Sequence, residues 1–320
     1  MTTPTLKTTT GYTPANRDFL LLPFCGAKTA CFPREMLPEA LAEALRTSDD
    51  KGGAATVFTG AVSGKKIHAR TVRLDAEHTS PEAHLRKAVA TALDDARSEG
   101  SKRVVVLMDV EHAAQVEAIQ EGTLAGGYVF DRYLSDKKKP LPAVMVLSKK
   151  TPAALKRRLD AARKAIDSVN FARDVLNEPP NVIKPPSLAK AFRAEGRKAG
   201  LKVSVWDDKR LEREKCGGIL GVGQGAKAKP RLVIAEYKPQ KAKKHLCLVG
   251  KGVTFDTGGY CLKPTAAQLG MKYDMGGSAS VFGTMQVLAE TKPKINVGAV
   301  VAAAENMPDG GAARPGDIVK

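Results

Sequence analysis

The sequence predicts an α/β protein of two layered domains. Three observations carry that reading. The chain has 320 residues, and one domain takes roughly 100–200. It is 43% hydrophobic and 27% charged, enough apolar material for a sizeable core. Short β-branched runs also alternate with helix-period stretches throughout, the signature of helices layered on sheets.

The elements follow in order. Asp18 to Phe24 and Ala55 to Thr59 are apolar runs of strand length, and Ile67 to Leu74 alternates like a strand. Pro81 to Ser98 places Leu85, Ala88, Val89, Ala92, Leu93 and Ala96 on one helical face. Arg103 to Met108 is a dense strand, Glu111 toward Tyr133 reads as helix, and Ala143 to Leu147 as strand. A long helix from Pro152 repeats Leu155, Leu159, Ala162, Ile166, Val169 and Leu176. It stops at Asn177-Glu178-Pro179-Pro180, because proline cannot continue a helix and constrains the residue before it. The domain boundary is placed near this helix, giving domains 1–165 and 166–320.

Beyond it, Ser187 reads as the N-cap of a helix toward Gly200. Lys202 to Trp206 is a strand, Asp208 to Lys215 a short helix, and Arg231 to Tyr237 a strand. His245 to Val249 reads as a buried strand, Ser278 to Glu290 as helix and Ile295 to Ala303 as strand. Gly221 to Gly225 reads as a tight turn: position 226 is alanine and a strand follows, so it departs from the dinucleotide fingerprint. Gly250-Lys251-Gly252 lacks the Ser or Thr of a phosphate loop.

Composition narrows the function classes. Lys and Arg total 51 against 34 Asp and Glu, a net charge of +17, with runs at Lys137-Lys138-Lys139 and Lys241-Ala242-Lys243-Lys244. Solvated basic faces explain this charge, and attraction to nucleic acid is the second reading. Aromatic residues are 5% of the chain, so base-stacking platforms are scarce. Cys25, Cys31, Cys216, Cys247 and Cys261 are odd in number and form no C-x-x-C, which fits reduced thiols. No apolar run approaches the roughly 18–20 residues of a membrane span, and Met1-Thr2-Thr3-Pro4 opens no signal pattern. A cytoplasmic location is expected. His68, His78, His84, His112 and His245 have no ligand spacing and read as structural or surface residues.

The chemistry concentrates between Val249 and Ser278. A strand ends at Gly250 and Lys251 follows; functional groups of α/β folds gather beyond the carboxyl ends of strands. Asp256 and Asp274 lie among glycines and apolar residues, with Lys263 between them. On spacing alone, three readings stay open. Asp274 could cap the following helix, Lys251 and Asp256 could form a structural ion pair, or the carboxylates could converge on a cation.

The motifs themselves resemble the leucyl aminopeptidase (M17) family. Val249 onward reads V-G-K-G-V-T-F-D-T-G-G, against the family's V-G-K-G-x-T-F-D-S/T-G-G; Lys263 follows Asp256 by seven, and Met271 opens M-K-Y-D-M. Glu305 to Asp317 matches E-N-M-P-x-G-x-A-x-x-P-G-D, and Asn177 to Asn181 resembles the opening of the catalytic domain. The likeness runs from about residue 120 to Lys320. It implies a variable N-terminal α/β domain and a larger catalytic α/β domain with a mixed central sheet. It implies Lys251, Asp256 and Asp274 as metal ligands, Lys263 as the catalytic lysine, and Met271 lining the pocket for the first side chain of a peptide. Two divalent ions are expected, Mn²⁺ or Zn²⁺ with Mg²⁺ as a further option, and subunits of the family associate as hexamers. A lysine ligand must be neutral, and a dication together with desolvation would favour that form.

One family motif, N-T-D-A-E-G-R-L, is absent before the sequence stops at Lys320. The expectation is a chain cut off within its catalytic domain. Two divalent ions bring +4, and the ligands here supply two carboxylates and a neutral amine. The leading function is therefore a metal-dependent aminopeptidase whose site is incomplete in this chain. The alternatives are a DNA-binding accessory protein, a catalytically dead relative and a non-catalytic assembly module.

Overall fold

The structure, a computed structural model, describes residues 5–8, 11–24, 34–47, 55–74, 80–109, 113–136, 141–149, 155–239 and 243–319. Lys137 to Lys139, Cys25, Cys31, His78, His112, Lys241 and Ala242 lie outside the described residues, as do the first residues of the helices expected from Glu111 and Pro152. The chain divides into two compact units, Met1–Ile166 and Asp167–Lys320; the second is the shorter as present here.

The first unit contains β1 (Thr5–Thr8), β2 (Asp18–Phe24), α1 (Glu39–Thr47), β3 (Ala55–Val62), β4 (Lys65–Arg73), α2 (Pro81–Ser98), β5 (Arg103–Leu107), α3 (Ala113–Gly126) and β6 (Ala143–Ser148). The sheet order is β1-β6-β5-β2-β4-β3. Only β3 runs antiparallel to its neighbour, β4.

Strand alternation sends successive side chains to opposite faces. Leu21, Val104 and Val106 pack with α2 and α3 residues Leu85, Val89, Leu93 and Ile119. Leu20, Leu22, Val105 and Leu107 pack with Tyr12, Met36 and Leu41 on the other. The Ser80 hydroxyl caps α2 by accepting from the Ala83 N–H at 3.2 Å, with Pro81 at the first helical position. The expected helix toward Tyr133 stops instead at Gly126. A Cβ there would meet Ala90 Cβ at 2.5 Å, so the close approach of α3 to α2 needs glycine, and Gly127 weakens the helix further. At the start of β2, the buried Asp18 carboxylate accepts from Arg103 at 2.6 and 2.7 Å and from the Tyr12 hydroxyl at 2.5 Å.

In the second unit, α4 (Leu155–Asn177, continued from the first) leads to α5 (Pro185–Lys198), β7 (Lys202–Trp206), α6 (Asp208–Arg213), α7 (Gly217–Gly223), β8 (Arg231–Tyr237), β9 (His245–Asp256), α8 (Thr265–Gln268), α9 (Gly276–Thr291) and β10 (Asn296–Asn306). The sheet order is β7-β8-β10-β9. It is mixed: β9 runs parallel to β10, and the other pairs are antiparallel. Phe192 of α5 stacks on Phe282 of α9 with centroids 4.3 Å apart, and both are almost fully buried beneath Val233, Ala299 and Val301.

Three local expectations are corrected. Ser187 is not the N-cap: α5 starts at Pro185, and the Ser187 hydroxyl reaches back to accept the Lys184 N–H at 2.8 Å. Gly221 to Gly223 lie within the short helix α7 rather than a turn. The run from His245 to Val249 is not buried. β9 is an edge strand whose first half faces outward, with Val249 74% exposed, and it continues to Asp256 because only its second half is covered.

Candidate functional site

The site is built at the carboxyl ends of the parallel neighbours β9 and β10. Asp256 is the last residue of β9 and Asn306 the last of β10. They stand opposite one another only because the register shifts between Ala304 and Asn306: Ala304 pairs with Val253, yet Asn306 pairs with Asp256. One extra β9 residue is accommodated there, a bulge that re-aims the strand end.

Asp256 is held from several sides. The Gly258 N–H donates to Oδ1 at 2.8 Å, Asn306 Nδ2 donates to the same oxygen at 2.7 Å, and Lys263 Nζ donates to Oδ2 at 2.7 Å. Burial works to raise the carboxyl pKa, but these hydrogen bonds and the lysine charge outweigh it, so Asp256 lies below the ordinary aspartate range. The chain then reverses through Gly258 (φ +90°) and Gly259 (φ +66°), left-handed conformations that favour glycine. A Cβ on Gly259 would sit 2.8 Å from Asn306 Oδ1, so glycine also leaves room for that amide. The Thr257 hydroxyl and N–H both donate to the Asn306 carbonyl, at 2.8 and 3.0 Å, and the Lys263 N–H returns to the Thr257 carbonyl at 2.8 Å.

Lys263 Nζ also lies 3.1 Å from Met271 Sδ. Met271 opens a short 3₁₀ turn, Met271–Tyr273, that ends on Asp274. Asp274 Oδ2 is buried without a hydrogen bond, and Lys251 Nζ stands 3.2 Å from it. Asp274 is therefore not a helix cap; Met275 occupies that position for α9. Nor does Lys251 pair with Asp256, since the pairing is crossed: Lys251 with Asp274 and Lys263 with Asp256. Two further expectations change. Lys251 lies inside β9 rather than beyond its end, and the desolvation expected around its amine is not present, its side chain being 59% exposed.

Among the described residues, no group of three or more His, Cys, Asp or Glu is assembled around one point. The charged groups here are instead two separate pairs, Lys251 with Asp274 and Lys263 with Asp256. Sequence reasoning assigned no role to Asn306, Thr257 or Gly258, although Asn306 stood inside the quoted E-N-M-P stretch. Its amide contact depends on a register shift that no local pattern announces. Nearby, Glu305 is buried with Lys184 Nζ 3.6 Å away, and Lys272 Nζ caps the last carbonyl of α4, at Asn177, at 3.3 Å.

A mixed sheet that carries two Lys–Asp pairs on and beside β9 sets this unit in the α/β class. Residues 170–320 match the profile of the cytosol aminopeptidase family catalytic domain, and residues 32–137 match that of its N-terminal domain. The chain belongs to the cytosol aminopeptidase (M17) family. Among its relatives, a probable cytosol aminopeptidase of Streptomyces avermitilis is 42% identical over 228 residues, covering 69% of this chain and 44% of that protein. Another, of Clostridium perfringens, is 34% identical over 315 residues, covering 94% of this chain and 64% of that protein. The chain thus spans less than two thirds of the length of these relatives. Among solved structures, the bottromycin maturation enzyme BotP in complex with Mn superposes with a TM-score of 0.75 at 28% identity, over 95% of this chain and 63% of that one. A variant of tomato leucine aminopeptidase shares the fold, with a TM-score of 0.82 at 24% identity over all of this chain and 66% of that one. No described helix is long and apolar enough to cross a membrane.

Proposed function

We propose that this chain carries part of the site of a metal-dependent aminopeptidase that releases N-terminal, leucine-like residues from peptides. Residues 1–165 form its N-terminal domain and 166–320 the first part of its catalytic domain. The observation that carries the reading is two aspartates that each face a lysine amine: Asp256, at the carboxyl end of β9, faces Lys263, and Asp274 faces Lys251 of the same strand. Family membership and the Mn-bound state of the BotP structure support it.

A divalent cation here would take the place of the lysine partners of the two carboxylates. Asp274 Oδ2 is a buried oxygen without a hydrogen bond, and Asp256 adds a second hard anionic oxygen. Lys251 would be the third ligand once its amine loses a proton to make the lone pair available, a change the cation's own charge would drive, and Mn²⁺ or Zn²⁺ suits the set. A second ion would leave charge uncompensated against two carboxylates, so its ligands would have to come from beyond this cluster. When bound, such ions supply Lewis-acid chemistry and an anchor for the substrate's free amine. The chain's own groups do the rest. Lys263 holds its charge where an oxyanion would develop at the scissile carbonyl. Met271, whose Sδ lies 3.1 Å from Lys263 Nζ, offers a soft apolar wall to the substrate's first side chain. Assembly with further copies, hexameric in the family, belongs to the same proposal.

The test is hydrolysis of leucine p-nitroanilide, with and without Mn²⁺ or Zn²⁺, by protein expressed from the complete reading frame. Cation-dependent release that disappears in Asp256→Asn and Asp274→Asn is expected. A folded protein that stays inactive with either ion would sink the proposal.

A further inference from the structure

We propose that Asn306 is the positioning residue for Asp256, fixing which carboxylate oxygen is presented to a cation. This rests on the metal reading above. Asp256 has two oxygens with separate duties: Oδ1 accepts from Asn306 Nδ2 and the Gly258 N–H, and Oδ2 faces Lys263. Oδ1 is occupied by two donors, while Oδ2 accepts only from Lys263 Nζ at 2.7 Å and keeps acceptor capacity for a cation. Asn306 is itself immobilised. Its carbonyl accepts from Thr257 twice, its side-chain oxygen rests against Gly259, and its backbone pairs across the bulge with Asp256. An amide is suited to the task because it donates without adding charge; an aspartate there would set two anions side by side. Groups that orient a ligating carboxylate typically change metal affinity about 10–100-fold when removed.

Mn²⁺ binding to the 320-residue chain, followed by the electron paramagnetic resonance signal of the free ion, tests this without reference to catalysis. The variants are Asn306→Leu, which keeps the volume and removes the donor, and Asn306→Ala; metal-free melting temperature is measured alongside. Affinity is expected to fall about 10-fold or more in both, with metal-free melting close to that of the unsubstituted chain. Adding either change to Asp256→Asn is expected to cause no further loss. If Asp256→Asn abolishes binding while both Asn306 variants bind like the unsubstituted chain, the positioning inference falls and the metal reading stands. If the unsubstituted chain and Asp256→Asn bind Mn²⁺ alike, both fall together.

Discussion

Replacing Lys263 by methionine isolates the electrostatics of the site from any question of turnover. The substitution keeps most of the side-chain volume and removes a charge 2.7 Å from Asp256 Oδ2. At that separation the pair is worth about 1.5 kcal/mol in a water-like dielectric and about 6 kcal/mol at an effective dielectric of 20. The side chains are 30% and 18% exposed, so screening and the desolvation already incurred bring the net loss to about 1–2 kcal/mol at neutral pH. The sign with pH follows from the lowered Asp256 pKa. A depressed carboxylate contributes stability above the unfolded value of about 3.9, and that contribution is lost as pH falls through the folded value. Without Lys263 the opposing effect of burial weighs more and the depression shrinks. Urea unfolding at pH 7 and near pH 2.5 should therefore show a stability gap between the two proteins that is widest at pH 7 and narrows in acid. A gap of equal size at both pH values, or none at pH 7, would refute the assignment of Lys263 as the charge that holds Asp256 ionised.

Two further outcomes concern the scaffold. The Tyr12 hydroxyl is pushed far up by burial first and then by its hydrogen bond to Asp18. Its contribution is thus present below the unfolded tyrosine value of about 10 and lost as pH rises above it; Tyr12→Phe should cost about 1–3 kcal/mol at pH 8 and flatten the alkaline decline in urea midpoints. Phe282→Ala should remove about 3–5 kcal/mol, because the ring is 1% exposed and stacked on Phe192; a loss under about 1 kcal/mol by urea titration would contradict the packing described.

Where the sequence could be read, the signal was local. Pro81 to Ser98 carries its proline and its apolar stripe within its own residues, with the capping Ser80 directly before them, so the helix falls at those bounds. Lys202 to Trp206 and Arg231 to Tyr237 are likewise strands at the bounds their β-branched runs predict. His245 to Val249 misled because an apolar run cannot say whether a neighbour covers it, and β9 lies at a sheet edge. The lysines and aspartates of the site stood out as charges among glycines. Which lysine meets which aspartate did not, since the pairing is set by β9 and the 3₁₀ turn in three dimensions. Asn306 was invisible as a partner for the same reason: 50 residues separate it from Asp256.

The unequal count of residues between Val253 and Asp256 on one strand and Ala304 and Asn306 on the other has a consequence for how this segment can vary. Cross-strand partners share a face, so deleting Thr254 or Phe255 would leave Asp256 opposite Asn306 in a regular ladder but would remove the bulge, and with it the bend and added twist that aim the carboxylate. Insertions and deletions there consequently change the angle of the strand end, which an exchange of one side chain for another leaves in place. The length of the strand end, as much as its composition, is part of what makes the centre.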